Sequence, residues 1–205
     1  MSTNMITEEY TKYLKRLQEI IAMEVVPKTA MFDYFTSDIY KYSEDPQKVE
    51  PLVWYIQSAL LSDLTFSIFR LFDDKADRNL YHFVRFSREN ADKIEWKSPL
   101  TGDDFKEQQT LLKSIHDRKD TLRRRRNMYF AHYAEEYFFE PDKIQKELPF
   151  TSEDAKALVR VAQQIIGKHS YALSNSSAIS IDGFVYAASD KLYEKLRSSY
   201  NQTVA

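Results

Sequence analysis

Residues 51–72 read PLVWYIQSALLSDLTFSIFRLF, and this stretch decides the fold class. Proline suits the first turn of an α-helix, where its missing N–H would have no partner anyway. Behind Pro51, the apolar side chains of Leu52, Val53, Tyr55, Ile56, Leu60, Leu61, Leu64, Phe66, Ile68, Phe69, Leu71 and Phe72 cover most faces of the helix they predict. Such a helix belongs at the centre of a bundle or beneath a subunit interface. Gln57, Asp63 and Arg70 within it argue for a buried helix over a membrane span. Asp63 and Arg70 are read as an internal ion pair or hydrogen-bond network.

The rest of the chain repeats this helical grammar. Tyr10, Leu14, Leu17 and Ile21 form one apolar stripe, which predicts a helix from Thr7 to about Met23. Pro27 is expected to open a second helix carrying Met31, Phe32, Phe35 and Ile39, with a loop over Ser43 to Glu50. Beyond the central stretch, Leu80 to Phe86 predicts a short helix and Lys97 to Gly102 a loop. Asp103 or Asp104 is expected to cap a long helix reaching about Ala134, with Glu140 to Phe150 a loop. Ser152 is expected to cap a helix through Ala155 to Leu173, and after a break at Ser174 to Ser180 a last helix covers Phe184 to Tyr200. No alternating run of β-branched residues calls for a strand. The expectation is one all-α domain over residues 1–205, a helical bundle with its core at roughly 5–175 and a C-terminal helix at about 184–200.

Composition narrows the chemistry. Only three glycines are present (Gly102, Gly167 and Gly183), which excludes glycine-rich phosphate loops of the P-loop or dinucleotide-binding kind. The absence of cysteine excludes disulfides, thiolate metal sites and cysteine nucleophiles, and fits a cytoplasmic protein. The polar start Met1-Ser2-Thr3-Asn4 does not resemble a secretion signal. With a net charge of −2, any contact with nucleic acid must come from a local patch.

One such patch exists. Residues 123–132 read Arg-Arg-Arg-Arg-Asn-Met-Tyr-Phe-Ala-His, with Lys113, Arg118 and Lys119 upstream on the same expected helix. An arginine run is commonly a solvated helix face. Here it leads into Asn127 and His132, which can hydrogen-bond and move protons. On an unbroken α-helix, Arg125 and His132 share a face to within about 20°. Arg126 would sit about 120° round from His132 and about 9 Å along the axis. A second copy of the helix is then the natural way to bring Arg126 and His132 onto one phosphate. His82, His116 and His169 have no neighbours at metal-ligand spacing, so no metal site and no cofactor are expected.

The segment Arg126-Asn127-Met128-Tyr129-Phe130-Ala131-His132 resembles the Arg-polar-x-x-x-Ala-His form of the Arg-x(4–6)-His motif of the HEPN superfamily. The preceding Phe69-Arg70-Leu71-Phe72-Asp73-Asp74 resembles the corresponding helix of its AbiU-type abortive-infection branch. These are all-helical, usually dimeric domains, many of them metal-independent ribonucleases of toxin–antitoxin, abortive-infection and CRISPR systems. The resemblance implies a homodimer acting on RNA, with an antitoxin or other defence-system protein as partner and no membrane. It implies Arg126, His132 and Asn127 as catalytic residues, with Arg125 the alternative to Arg126 as the main catalytic arginine. Arg123, Arg124 and Arg125 would hold the RNA backbone. One departure stands out: relatives of the HepT type carry a tyrosine two residues after the histidine, where this chain has Ala134, so regulation by nucleotidylation there is not expected. A catalytically silent module for RNA or nucleotide binding, or for dimerisation, is the alternative reading.

Overall fold

The computed structural model describes residues 3–41, 52–130, 135–140, 142–176 and 182–204. These residues form helices and their connections, with no strand among them. The first helix, α1 (Thr3–Ile20), does not stop where a second was expected to begin. It passes through a π-helical turn, Ile21–Val25, directly into α2 (Val26–Thr36). Pro27 has no N–H to return to the preceding turn, and the wider turn just ahead of it accommodates that loss.

The apolar stretch forms α3 (Leu52–Phe72). Its C-terminal half is buried through Leu64, Ile68, Phe69, Leu71 and Phe72, whereas Leu52, Trp54 and Tyr55 near its start are exposed. By length and composition alone this helix could cross a membrane. In the bundle it packs against α2, and its charges are tied to that side. Asp63 pairs with Lys28 at 2.7 Å, and Arg70 with Glu24 at 3.4 Å. The expected pairing of Asp63 with Arg70 is therefore corrected: seven residues put them about 10 Å apart along the axis.

Helix α4 (Leu80–Glu89) begins at a buried cap. Asn79 Oδ1 accepts from the His82 amide at 2.9 Å, and Asn79 Nδ2 donates to the carbonyls of Asp73 and Ala76. The Tyr13 hydroxyl donates to the Asn79 carbonyl and accepts from its amide, which locks the α3–α4 turn onto α1. The long helix expected from Asp103 to Ala134 is instead two helices, α5 (Gly102–Ser114) and α6 (His116–Arg125), hinged at the buried Ile115. A second π turn, Arg126–Phe130, follows α6. The expected loop at Glu140 to Phe150 contains a short helix, α8 (Lys143–Glu147), preceded by α7 (Glu135–Phe139). The chain closes with α9 (Ser152–Ser174) and α10 (Asp182–Val204).

The starts of α5 and α9 correct two assigned caps. Thr101 and Thr151 are the caps, each accepting from the amide three residues on, while Asp104 and Asp154 return a carboxylate to the threonine amide. Such reciprocal boxes satisfy two otherwise unpaired donors. Asp103, Asp104 and Ser152 are thus inside the first turn rather than at the cap.

A continuous apolar core joins α1, the first π turn, α2, α3, α4, α5, α6 and α9. A smaller cluster seats α10: Tyr193 packs with Tyr34, Phe35, Ile39 and Val53. Beside it the Tyr186 hydroxyl donates to the buried carboxylate of Asp33, which also pairs with Lys156 at 2.9 Å.

Candidate functional site

The basic helix α6 lies against α3 with Leu122 fully buried between them. The Arg126 guanidinium sits 4.6 Å from the centroid of the Phe69 ring. One α-helical heptad earlier, the Lys119 ammonium sits 4.7 Å from the Tyr81 centroid and 3.3 Å from the Asp74 carboxylate. As the chain of α6 goes from Lys119 to Arg126, its contacts on α3 and the turn after it go back from Asp74 to Phe69. The two helices are antiparallel, and Lys119 and Arg126 lie along the same edge, both turned onto aromatic rings.

The four consecutive arginines have different roles. Arg123 is half exposed and pairs with Asp120 at 2.5 Å, and Arg124 is exposed. Arg125 is fully buried, its Nη1 donating to the Leu148 carbonyl at 2.5 Å and to Gln145 Oε1 at 3.2 Å. The expectation that Arg125 holds RNA is corrected by this placement: its guanidinium fastens the α8 segment to α6 and has no face to solvent. Leu122 and Arg125, three apart, share the inward side of the helix. Leu122 was the one apolar marker of that phase, and the run of like charges masked it.

Arg126 opens the π turn. It is half-buried, and its Nη1 donates to Asn127 Oδ1 at 2.7 Å. Its Nε is buried and meets no acceptor among the described residues. A buried donor left so costs about 1–3 kcal/mol, and single π turns recur at functional sites. Asn127 is exposed, and Met128 packs onto Tyr137, Ile144 and Leu148. The turn therefore anchors itself through Met128 while presenting the Arg126–Asn127 pair. His132 lies outside the described residues, as do Ala131, Tyr133 and Ala134. The 120° separation expected between Arg126 and His132 assumed unbroken α geometry, which the π turn between them replaces.

Among the described residues, no group of three or more histidine and carboxylate side chains could hold a metal ion. His169, given no role from sequence, is structural. It is fully buried among Tyr10, Phe83, Trp96 and Phe105. Its Nδ1 accepts from the Tyr10 hydroxyl at 2.8 Å, and its Nε2 donates to Gln108 Oε1 at 3.0 Å, as a neutral imidazole does. Burial holds its pKa down at about 3, against a smaller upward pull from Asp104. A histidine in this environment takes no part in proton transfer near neutral pH.

Fold and site together define a class: an all-helical domain whose basic helix widens into a π turn at an arginine–asparagine pair. The family model HEPN_AbiU2, described as AbiU2, matches residues 8–196, and the chain belongs to this AbiU-type family of the HEPN superfamily. No curated protein matches the chain, and neither does any solved structure.

Proposed function

We propose that this chain is a metal-independent RNA endonuclease of HEPN type, working in the cytoplasm as a homodimer in phage defence or as a toxin. The observation that carries the reading is the Arg126–Asn127 pair, presented on a π turn next to α3 and five residues ahead of His132. Membership of the AbiU2 family supports the abortive-infection setting. RNA brings its own nucleophile, so the protein must only move protons and stabilise charge. A neutral His132 accepts the 2′-hydroxyl proton as the 2′-oxygen attacks phosphorus, or in its protonated form supplies a proton to the departing 5′-oxygen. Arg126 stabilises the charge developing on the phosphorane, and Asn127 orients His132 or binds a phosphate oxygen. The products are a 2′,3′-cyclic phosphate and a 5′-hydroxyl end. Arg123 and Arg124 hold the backbone on either side.

The homodimer is supported by the exposed start of α3, where Leu52, Trp54 and Tyr55 offer an apolar face. An antitoxin or other defence-system protein is the further partner proposed. A second reading, a silent module that binds RNA or nucleotide, has one observation in its favour: Arg126 is already engaged by Phe69 and Asn127. Cleavage of a mixed RNA in excess EDTA separates the two. The endonuclease reading expects fragments with cyclic phosphate ends, lost in His132→Ala. RNA binding without cleavage favours the silent module.

A further inference from the structure

A groove of about 440 Å³ opens beside the α5–α6 hinge, lined by Tyr81, Gln109, Leu112, Lys113, His116 and Lys119. Leu112 is buried and gives the groove an apolar floor, and Tyr81 is half-buried in its wall. Lys113 and His116 are exposed at its rim, and Gln109 adds a side-chain amide. Apolar and aromatic surface with one amide suits a nucleobase, and cations around it suit the attached phosphate.

Position links this groove to the Arg126–Asn127 pair. Lys119 and Arg126, seven residues apart, share a face to within about 20° and lie about 10 Å apart along the axis, and Arg123 is about 40° round from Lys119. Lys113, Lys119, Arg123 and Arg126 thus form one cationic edge running from the groove to the π turn. Two carboxylates oppose it: Asp74 occupies Lys119 at 3.3 Å, and Asp120 occupies Arg123 at 2.5 Å. We propose that this groove is a base subsite for a nucleotide flanking the reacting phosphate. The base rests on Leu112 beside Tyr81 and hydrogen-bonds to Gln109, while Lys113 and Lys119 hold its phosphate, Lys119 turning from the Tyr81 ring and Asp74 to do so. The inference rests on the RNA reading above.

The test is fluorescence anisotropy of the full chain with short labelled 2′-O-methyl homopolymers of U, C, A and G, which lack the nucleophile and stay intact. Lys113→Glu is expected to weaken binding about tenfold and to flatten its salt dependence. Gln109→Leu is expected to change the ranking of the four bases while leaving the salt slope alone, and Asp74→Asn to tighten all four. Lys113 is exposed, so its variant carries little folding risk. If Lys113→Glu and Gln109→Leu bind as the parent does while Arg123→Ala weakens binding, RNA runs elsewhere and the groove proposal is wrong, with the RNA reading intact. If the parent binds none of the four, the RNA reading itself fails and takes the groove with it.

Discussion

At the scale of single residues, burial separates groups that the sequence writes alike. Arg124 and Arg125 are neighbours in one run, yet one is exposed and the other holds the Leu148 carbonyl from inside. Arg125→Met should leave that carbonyl unpaired and cost about 1–3 kcal/mol. In a chain of this size that is several degrees of melting temperature. Arg124→Ala should leave the melting temperature unchanged, and equal losses in the two variants would contradict the assigned roles. His169 yields a pH prediction. Its folded pKa of about 3 is below the unfolded value of 6.5, so its contribution to stability is complete above pH 6.5 and is lost as pH falls toward 3. Burial pushes the carboxyls of Asp33 and Asp154 up, but their hydrogen bonds outweigh it and hold both below the usual range, and Asp104 is held down by its hydrogen bonds from Lys168 and Thr101. Their stabilisation begins to fall only as pH drops below about 5, so the interval from pH 6.5 to 5 lies inside the window of His169 and above theirs. Over that interval His169→Phe should melt with a weaker pH dependence than the parent; parallel melting curves would remove the buried-imidazole account.

At the scale of elements, apolar periodicity was enough to find the helices, and local chemistry decided their ends. The stripe Tyr10-Leu14-Leu17 and the dense α3 stretch are both found where expected, because a wide apolar face admits one helical phase. The caps were misassigned by one to three residues. In Thr-x-x-Asp the aspartate looks like a cap itself, yet it is the threonine that takes extended backbone, with ψ of 167° at Thr101 and 170° at Thr151. Thr151→Ala should therefore cost about 1 kcal/mol, measured by denaturant unfolding. The two π turns left no mark on the apolar periodicity, since a single widened turn shifts the phase by less than one residue, and only the first had a local sign, in Pro27. The second matters most, because the geometry of Arg126 against His132 was derived from ideal α spacing. Of the expected site, Arg126 and Asn127 were expected within a helix continuing to about Ala134, whereas α6 ends at Arg125 and the pair opens the π turn. The inward turn of Arg125 was not legible, because four identical charges conceal helical phase.

At the scale of the whole molecule, the described residues expose a basic edge along α6 and an apolar face at the start of α3. The apolar face at Leu52, Trp54 and Tyr55 is the proposed contact between copies. Sedimentation at micromolar concentration should return a dimer, and Trp54→Glu should shift it toward monomer. A monomeric parent would remove the two-copy arrangement of Arg126 and His132. The most direct measurement is the cleavage rate of a mixed RNA in excess EDTA for the parent, His132→Ala and Arg126→Ala, with melting temperature as the control for folding. The parent is expected to cleave to 2′,3′-cyclic phosphate ends, with no cleavage detectable for His132→Ala and a loss of about two to three decades in rate for Arg126→Ala. Two folded variants that cleave like the parent, or a parent whose cleavage stops with EDTA and returns with magnesium, would contradict the metal-independent endonuclease reading.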